Sequence, residues 1–270
     1  MFSGDVGGLA RAGFDPQKFL PVERLGEYLA RYGAGTYAFQ HASIANSGLS
    51  TMLLEGSQTV PFKNLSDLWV SLEALLKWRD GAPTYTYAYW SDLDELAHRY
   101  GAQDERLLLE FATFTTGFER FLRRLAGLQT GRSLVLVTAD HGLIGTPVYP
   151  ELNLQNHPMF LEQLAMLPSG EARVPILYVR PGHEDGVCAY VEQAWPGRFR
   201  LVNSQGALAA GLFGPLPATP RVGERLGDWL VVPQGDGYFW WDVRKPNTML
   251  VRHGGFSPEE MLIPLMAFEV

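Results

Sequence analysis

Three short segments carry side chains suited to holding a metal ion: Asp94 and His98 in YWSDLDELAHRYG, Asp140 and His141 in LVLVTADHG, and His253 in VRHGGFSPEE. Carboxylate oxygens and imidazole nitrogens are the donors expected for zinc or a similar divalent ion. A site assembled from segments this far apart implies chemistry where the chain converges. Each motif also has an ordinary reading. Asp94 and His98 are four residues apart, which puts both on one face of a helix within reach of one ion. A helix capped by Ser91, with Asp94 in its first turn and His98 at the surface, has the same pattern. Asp140 and His141 leave a hydrophobic run and precede Gly142, so they project from a turn toward one ion or two neighbouring ions. A capping aspartate beside a hydrogen-bonded histidine fits as well. His253 lies between Arg252 and the pair Gly254 and Gly255, which permit unusual backbone angles and close approach of other groups. A polar turn is its plain alternative. His41, His157 and His183 lack such settings, although His157, in the loop after TADHG, is a candidate for contacting substrate.

The elements that must position these residues read as alternating strands and helices. GTYAFQ is a short strand after a helix over Val22–Tyr32 that Gly33 ends. Asn64–Arg79 is an amphipathic helix with Leu65, Leu68, Trp69, Leu72, Leu75 and Leu76 on one side. TYTYAYW is a strand rich in aromatic residues, and it delivers Asp94 to a strand's carboxyl end, where ligands collect in open α/β sheets. Leu107, Phe111, Phe114, Phe118, Phe121, Leu122 and Leu125 mark a long core-packing helix. SLVLVT is a continuous apolar strand, as expected in a sheet buried on both faces. This alternation predicts an α/β fold with a mainly parallel sheet flanked by helices. From residue 150 the texture changes, with frequent prolines and glycines. VPILYVR and FRLVN read as strands and VCAYVEQAW as a helix. DWLVVPQ and YFWWDV read as a hairpin around Gly235 to Gly237. The expected organisation is a core over 1–149, an inserted small α+β subdomain over 150–246, and a return to the core over 247–270. There EMLIPLMAFEV forms a buried strand. Residues 1–20 are glycine-rich and expected to be irregular.

Composition narrows the function. The 270 residues are 46% hydrophobic and 19% charged, enough for a sizeable core. A formal net charge of −7 with scattered positive charge argues against binding a nucleic-acid polymer. Cys188 is the only cysteine, so no intrachain disulfide forms. There is no signal-like apolar run at the start and no stretch approaching the ~18 residues of a membrane span. The expectation is a cytoplasmic chain without membrane contact, provisional on what precedes Met1.

Taken together, D-x-x-x-H, then ADHG, then HGG, with an insertion between the last two, resembles the alkaline phosphatase superfamily. The likeness is to its type I phosphodiesterase and nucleotide pyrophosphatase branch. It extends from roughly Leu20 to the C-terminus and includes GLFGP, ERLGDWLVVP and HGGFSPEEMLIPL. The resemblance implies an alkaline phosphatase-like core with two zinc ions, other divalent metals being admissible, at the carboxyl edge of the sheet. It assigns Asp94, His98 and His253 to one ion, and Asp140 and His141 to the other. It implies hydrolysis of a small phosphodiester or nucleotide by a hydroxyl nucleophile, with the insertion shaping the pocket. Tyr89 and Trp90 are candidates for stacking on a base, though packing in the sheet suits them better.

The family's first strand, ending in an aspartate, and its threonine or serine nucleophile have no counterpart in the expected place. Thr51, in SGLSTMLLEG, is the internal hydroxyl worth weighing, although a pocket or structural role fits that segment better. The chain is therefore expected to be a fragment of the catalytic unit. The alternative is an inactive relative that binds metal or phosphate. Sulfatases need a cysteine or serine motif that the surroundings of Cys188 lack, and phosphomutases have another ligand set. Loss of a central strand would leave a hydrophobic sheet edge, so homodimer formation through that edge is expected.

Overall fold

The structure is a computed structural model and describes residues 11–79, 81–128, 132–219, 221–244 and 246–270. The first half of the glycine-rich N-terminal stretch lies outside these residues. Two compact units emerge, one from 1–93, 108–135 and 267–270, the other from 94–107 and 136–266. One boundary, between Val135 and Leu136, falls within strand β4 (Leu134–Thr138).

The first unit is built on a parallel three-stranded sheet. Strand β1 (Gly35–His41) lies between β2 (Gln58–Phe62) and β3 (Thr84–Ala88). β2 was not anticipated from sequence, because Pro61 masks it; proline is tolerated there because β2 is an edge strand. One sheet face carries Phe39 and Phe62. The helix Leu65–Trp78 covers it through Leu65, Leu68 and Leu72, together with Phe121 and Leu125 of the helix Glu105–Ala126. Asn64 caps the first of these helices, its side chain accepting from Asp67 N. Trp69 sits among Phe114, Phe118 and Phe121. Trp90 stacks on Phe114 at 4.5 Å, so it packs the core. The apolar stripe of the long helix is only partly buried: Phe121 and Leu125 are inside, while Phe111 is exposed.

β4 pairs with β10 (Leu265–Glu269) in a separate two-stranded sheet. The expectation of strands buried on both faces fails for both. Leu134, Leu136, Leu265 and Met266 are exposed, because neither strand has a second neighbour among the described residues.

In the second unit, β6 (Ile176–Leu177), β7 (Phe199–Asn203) and β8 (Trp229–Pro233) form an antiparallel sheet in the order β6-β8-β7. The helix Glu184–Ala194 packs against it around Trp195, Phe160 and Phe239. The expected hairpin does not form. Phe239 N donates to Ala172 O and Trp240 N to Leu152 O, so YFWW is drawn to partners other than β8. Arg173 fixes the turn by donating to the carbonyls of Gly235 and Gly237. Strands β5 (Ile144–Gly145) and β9 (Val251–Arg252) pair antiparallel. No described helix is long and apolar enough to cross a membrane.

Candidate metal centre

Asp94 and His98 lie on the helix Asp92–Tyr100, one turn apart. Ala97, fully buried, fixes which face points inward. Two bonds dock this helix on the segment leading to β9: His98 Nδ1 lies 2.8 Å from Val251 O, and Leu250 N donates to His98 O. His98 Nδ1 is thus a donor, and its Nε2 faces Asp94 Oδ1 at 3.2 Å. His253 follows β9 directly.

Asp140 and His141 occupy the bend after β4. Gly142 continues it, with its N–H donating to Glu260 O at 2.8 Å. A Cβ at Gly142 would collide with the backbone carbonyl of Glu259, so only glycine admits this approach. Glu260 itself is buried at the start of the HGG turn's supporting helix, Pro258–Met261. Its Oε1 accepts from Gly255 N at 2.8 Å and from Arg173 Nε at 2.9 Å, and its Oε2 accepts from Arg173 Nη2 at 2.7 Å. One residue therefore anchors both ligand-bearing loops, by its backbone to the ADHG bend and by its carboxylate to the HGG turn. Sequence reasoning passed over Glu260 and Arg173. The available signal was a glutamate pair behind proline in the quoted HGGFSPEE phrase.

The result is a cluster in which donor atoms of Asp94, His141 and His253 all lie within 4.8 Å of one another. The rings of His141 and His253 stack at 3.7 Å, and His98 is 5.4 Å from His253 between centroids. His141 Nδ1 is 3.0 Å from its neighbour's carbonyl, Gly142 O, which leaves Nε2 for the cluster. Asp140 is the outlying member, 62% exposed, with Oδ1 3.8 Å from His141 Nε2. All five residues singled out in the sequence are thus neighbours. The tightest grouping joins Asp94 and His253 with His141.

The electrostatics suit a cation. Burial would raise the Asp94 carboxyl pKa, but contact with His98 and the fields of His98, His253 and His141 outweigh it and hold the group below its usual range. His98 is raised, first by Asp94, with burial opposing and the Val251 carbonyl adding to the rise. His253 is lowered, first by burial and then by His141, which favours the neutral imidazole that ligates metals. Asp94 Oδ1 is buried and receives no well-aligned hydrogen bond despite the nearby His98. A buried carboxylate oxygen left unpaired is costly, and a divalent ion among these donors would relieve it.

The other candidates are not members of this cluster and have contacts of their own. His157 is engaged on both nitrogens, Nδ1 with Tyr190 OH at 3.0 Å and Nε2 with Glu151 O at 2.8 Å, within the aromatic core around Trp195. Thr51, on the helix Gly48–Leu53, is exposed and donates its hydroxyl to Ser47 O at 2.9 Å. Tyr89 lies just past β3 and stacks with Tyr87 at 6.5 Å.

The first unit thus carries a parallel α/β sheet, and the second an acid-and-imidazole cluster of the kind that could hold a metal ion. Residues 34–254 match the type I phosphodiesterase/nucleotide pyrophosphatase family, and the chain belongs to it. Human ectonucleotide pyrophosphatase/phosphodiesterase 5 is similar in structure, with a TM-score of 0.64 at 13% identity over 94% of this chain and 65% of that one. The murine protein gives 0.60 at 14% over 88% and 61%. An inactive form of it, in complex with AMP, gives 0.61 at 14% over the same shares. Phosphonoacetate hydrolase from Sinorhizobium meliloti 1021, in complex with phosphonoformate, gives 0.63 at 17% over 94% and 69%. The chain thus spans under two thirds of the length of these ectonucleotide relatives. A comparison with curated protein sequences gives no match.

Proposed function

We propose that the Asp94–His141–His253 cluster, with His98 and Asp140 beside it, holds zinc and serves hydrolysis of a small phosphodiester or nucleotide. The observation that carries this reading is the grouping of Asp94, His141 and His253, whose donor atoms all lie within 4.8 Å of one another, in a chain of this family. AMP bound to a murine relative supports a nucleotide substrate. Asp94, His98 and His253 would serve one ion and Asp140 and His141 a second, weaker one. The bound ions would supply charge stabilisation at the phosphoryl oxygens and a lowered pKa for the attacking hydroxyl or water. The residues themselves act as ligands: His98 is oriented by the Val251 carbonyl, and Glu260 fixes the two loops that present His141 and His253.

None of the five ligands is a nucleophile, and the hydroxyl of Thr51 is bonded to its own helix. We therefore expect zinc uptake with little turnover of bis-p-nitrophenyl phosphate. Elemental analysis tests the site: His253→Ala should lower bound zinc, and an unchanged zinc-to-protein ratio would remove His253 from it. Robust turnover abolished by Thr51→Ala would instead make Thr51 the nucleophile.

Self-association belongs to the same proposal. β3 ends its sheet with an outer edge that no described strand covers, and such an edge favours pairing with a second copy. A dimer is expected in sedimentation; a monodisperse monomer at high concentration would discard it.

A further inference from the structure

A cavity of about 500 Å³ lies on the sheet face opposite the Phe39 and Phe62 core. Its position follows from strand register. Thr36 pairs with Tyr85 and Ala38 with Tyr87. Side chains two apart share a face, so Gln40 lies on the side of Ala38, Tyr85, Tyr87 and Tyr89. Ala38 is small, and with Tyr85 and Tyr87 on the neighbouring strand and Tyr89 just past it, it leaves a recess rather than a filled layer. The helix Gly48–Leu53 supplies the opposite wall through Ser50 and Leu53.

Three properties define what this recess accepts. Its volume falls in the range of small-molecule sites. No residue lining it carries a charge, and tyrosine and aliphatic side chains predominate, so it suits a neutral, flat molecule that stacks on aromatic faces. Gln40, only 6% exposed, lines the cavity, and its Oε1 is buried and accepts no hydrogen bond. An unpaired buried amide oxygen carries a desolvation cost that a ligand's N–H would remove.

We infer that this cavity is a binding site for a neutral, planar aromatic compound bearing an N–H donor, held by Gln40 Oε1 between the tyrosines of β3 and the helix Gly48–Leu53. The inference goes beyond the phosphoric-ester reading and uses none of the metal-centre residues. Indole and 1-methylindole are suitable probes, because methylation replaces the N–H donor by a single methyl group, which a recess of about 500 Å³ has room for. Calorimetric titration of the full chain should show indole binding more tightly than 1-methylindole by about fivefold, the worth of one hydrogen bond. Gln40→Met should erase that preference, and Leu53→Trp, which fills the recess from a half-exposed helix position, should abolish binding of both. Absence of indole binding, equal affinity for the two probes, or indole affinity unchanged in Leu53→Trp would each overturn the assignment. Should Gln40→Met fail to fold, the wild-type probe pair and Leu53→Trp still decide it.

Discussion

The two units treat their buried polar atoms differently. In the second, bonds between distant segments tie the framework: Arg173 meets Glu260, Trp195 Nε1 donates to Glu151 O, and Ser204 donates to Leu226 O, while Thr146 Oγ1, Arg252 Nε and Ser257 Oγ are buried without a hydrogen bond. Asp94 Oδ1, beside His98, sits at the candidate metal cluster. In the first, Gln40 Oε1 is unpaired under a cavity, and the indole nitrogens of Trp69 and Trp90 are unpaired among phenylalanines. Gln40 Oε1 lines a cavity, where a ligand can reach it. Where an unpaired atom lies inside an aromatic cluster, the packing itself tolerates the cost. The comparison is informative because it separates what holds the protein together from what it leaves open.

The largest expected effect comes from breaking the framework of the second unit. Glu260→Ala strands the Arg173 guanidinium in a site where both partners are about 1% exposed. Removing one member of such a pair costs about 3–5 kcal/mol, which urea denaturation would register, and it should lower zinc content by freeing the HGG turn, whose Gly255 N–H loses its acceptor. A loss below about 1 kcal/mol would show that the pair is not structural. A smaller effect tests the same residue through pH. Burial would raise the Glu260 pKa, but Arg173 and the Gly255 N–H prevail and hold it below its usual value. A carboxylate depressed in the folded state stabilises fully above its unfolded pKa, about 4.3. That contribution fades as pH falls through the lower folded value. Thermal melts below about pH 4.3 should therefore fall faster for the wild type than for Glu260→Gln; parallel curves would contradict the assignment. The smallest effect is expected in the first unit. Gln40→Met removes an acceptor that has no partner, so its melting temperature should equal or exceed that of the wild type. A large drop would mean that Gln40 is already satisfied.

Much of this was legible in the sequence. The helix Leu65–Trp78 follows from its apolar periodicity, β1 was read as a short strand, and β3 follows from its aromatic, β-favouring residues. The five ligand candidates follow from residue type and motif order. Three things were not legible. β2 was hidden by Pro61, since edge position is a property of the sheet and not of the segment. β4 reads as a buried strand, yet burial depends on how many neighbours a strand finds, and among the described residues β4 finds only β10. Glu260 and Arg173 are 87 positions apart, and no local pattern announces a pair that forms only when the chain closes.

Pro61 has one more consequence. Phe62 O accepts from Ala42 N, so Phe62 turns its polar backbone toward β1. The backbone of Pro61 therefore faces outward. A proline there offers no N–H to an incoming strand, which blunts the β2 border. The sheet thus has one receptive border and one sealed border. Two molecules meeting edge to edge through β3 would each present Pro61 at the far side, so the assembly would stop at a pair instead of lengthening into a fibre.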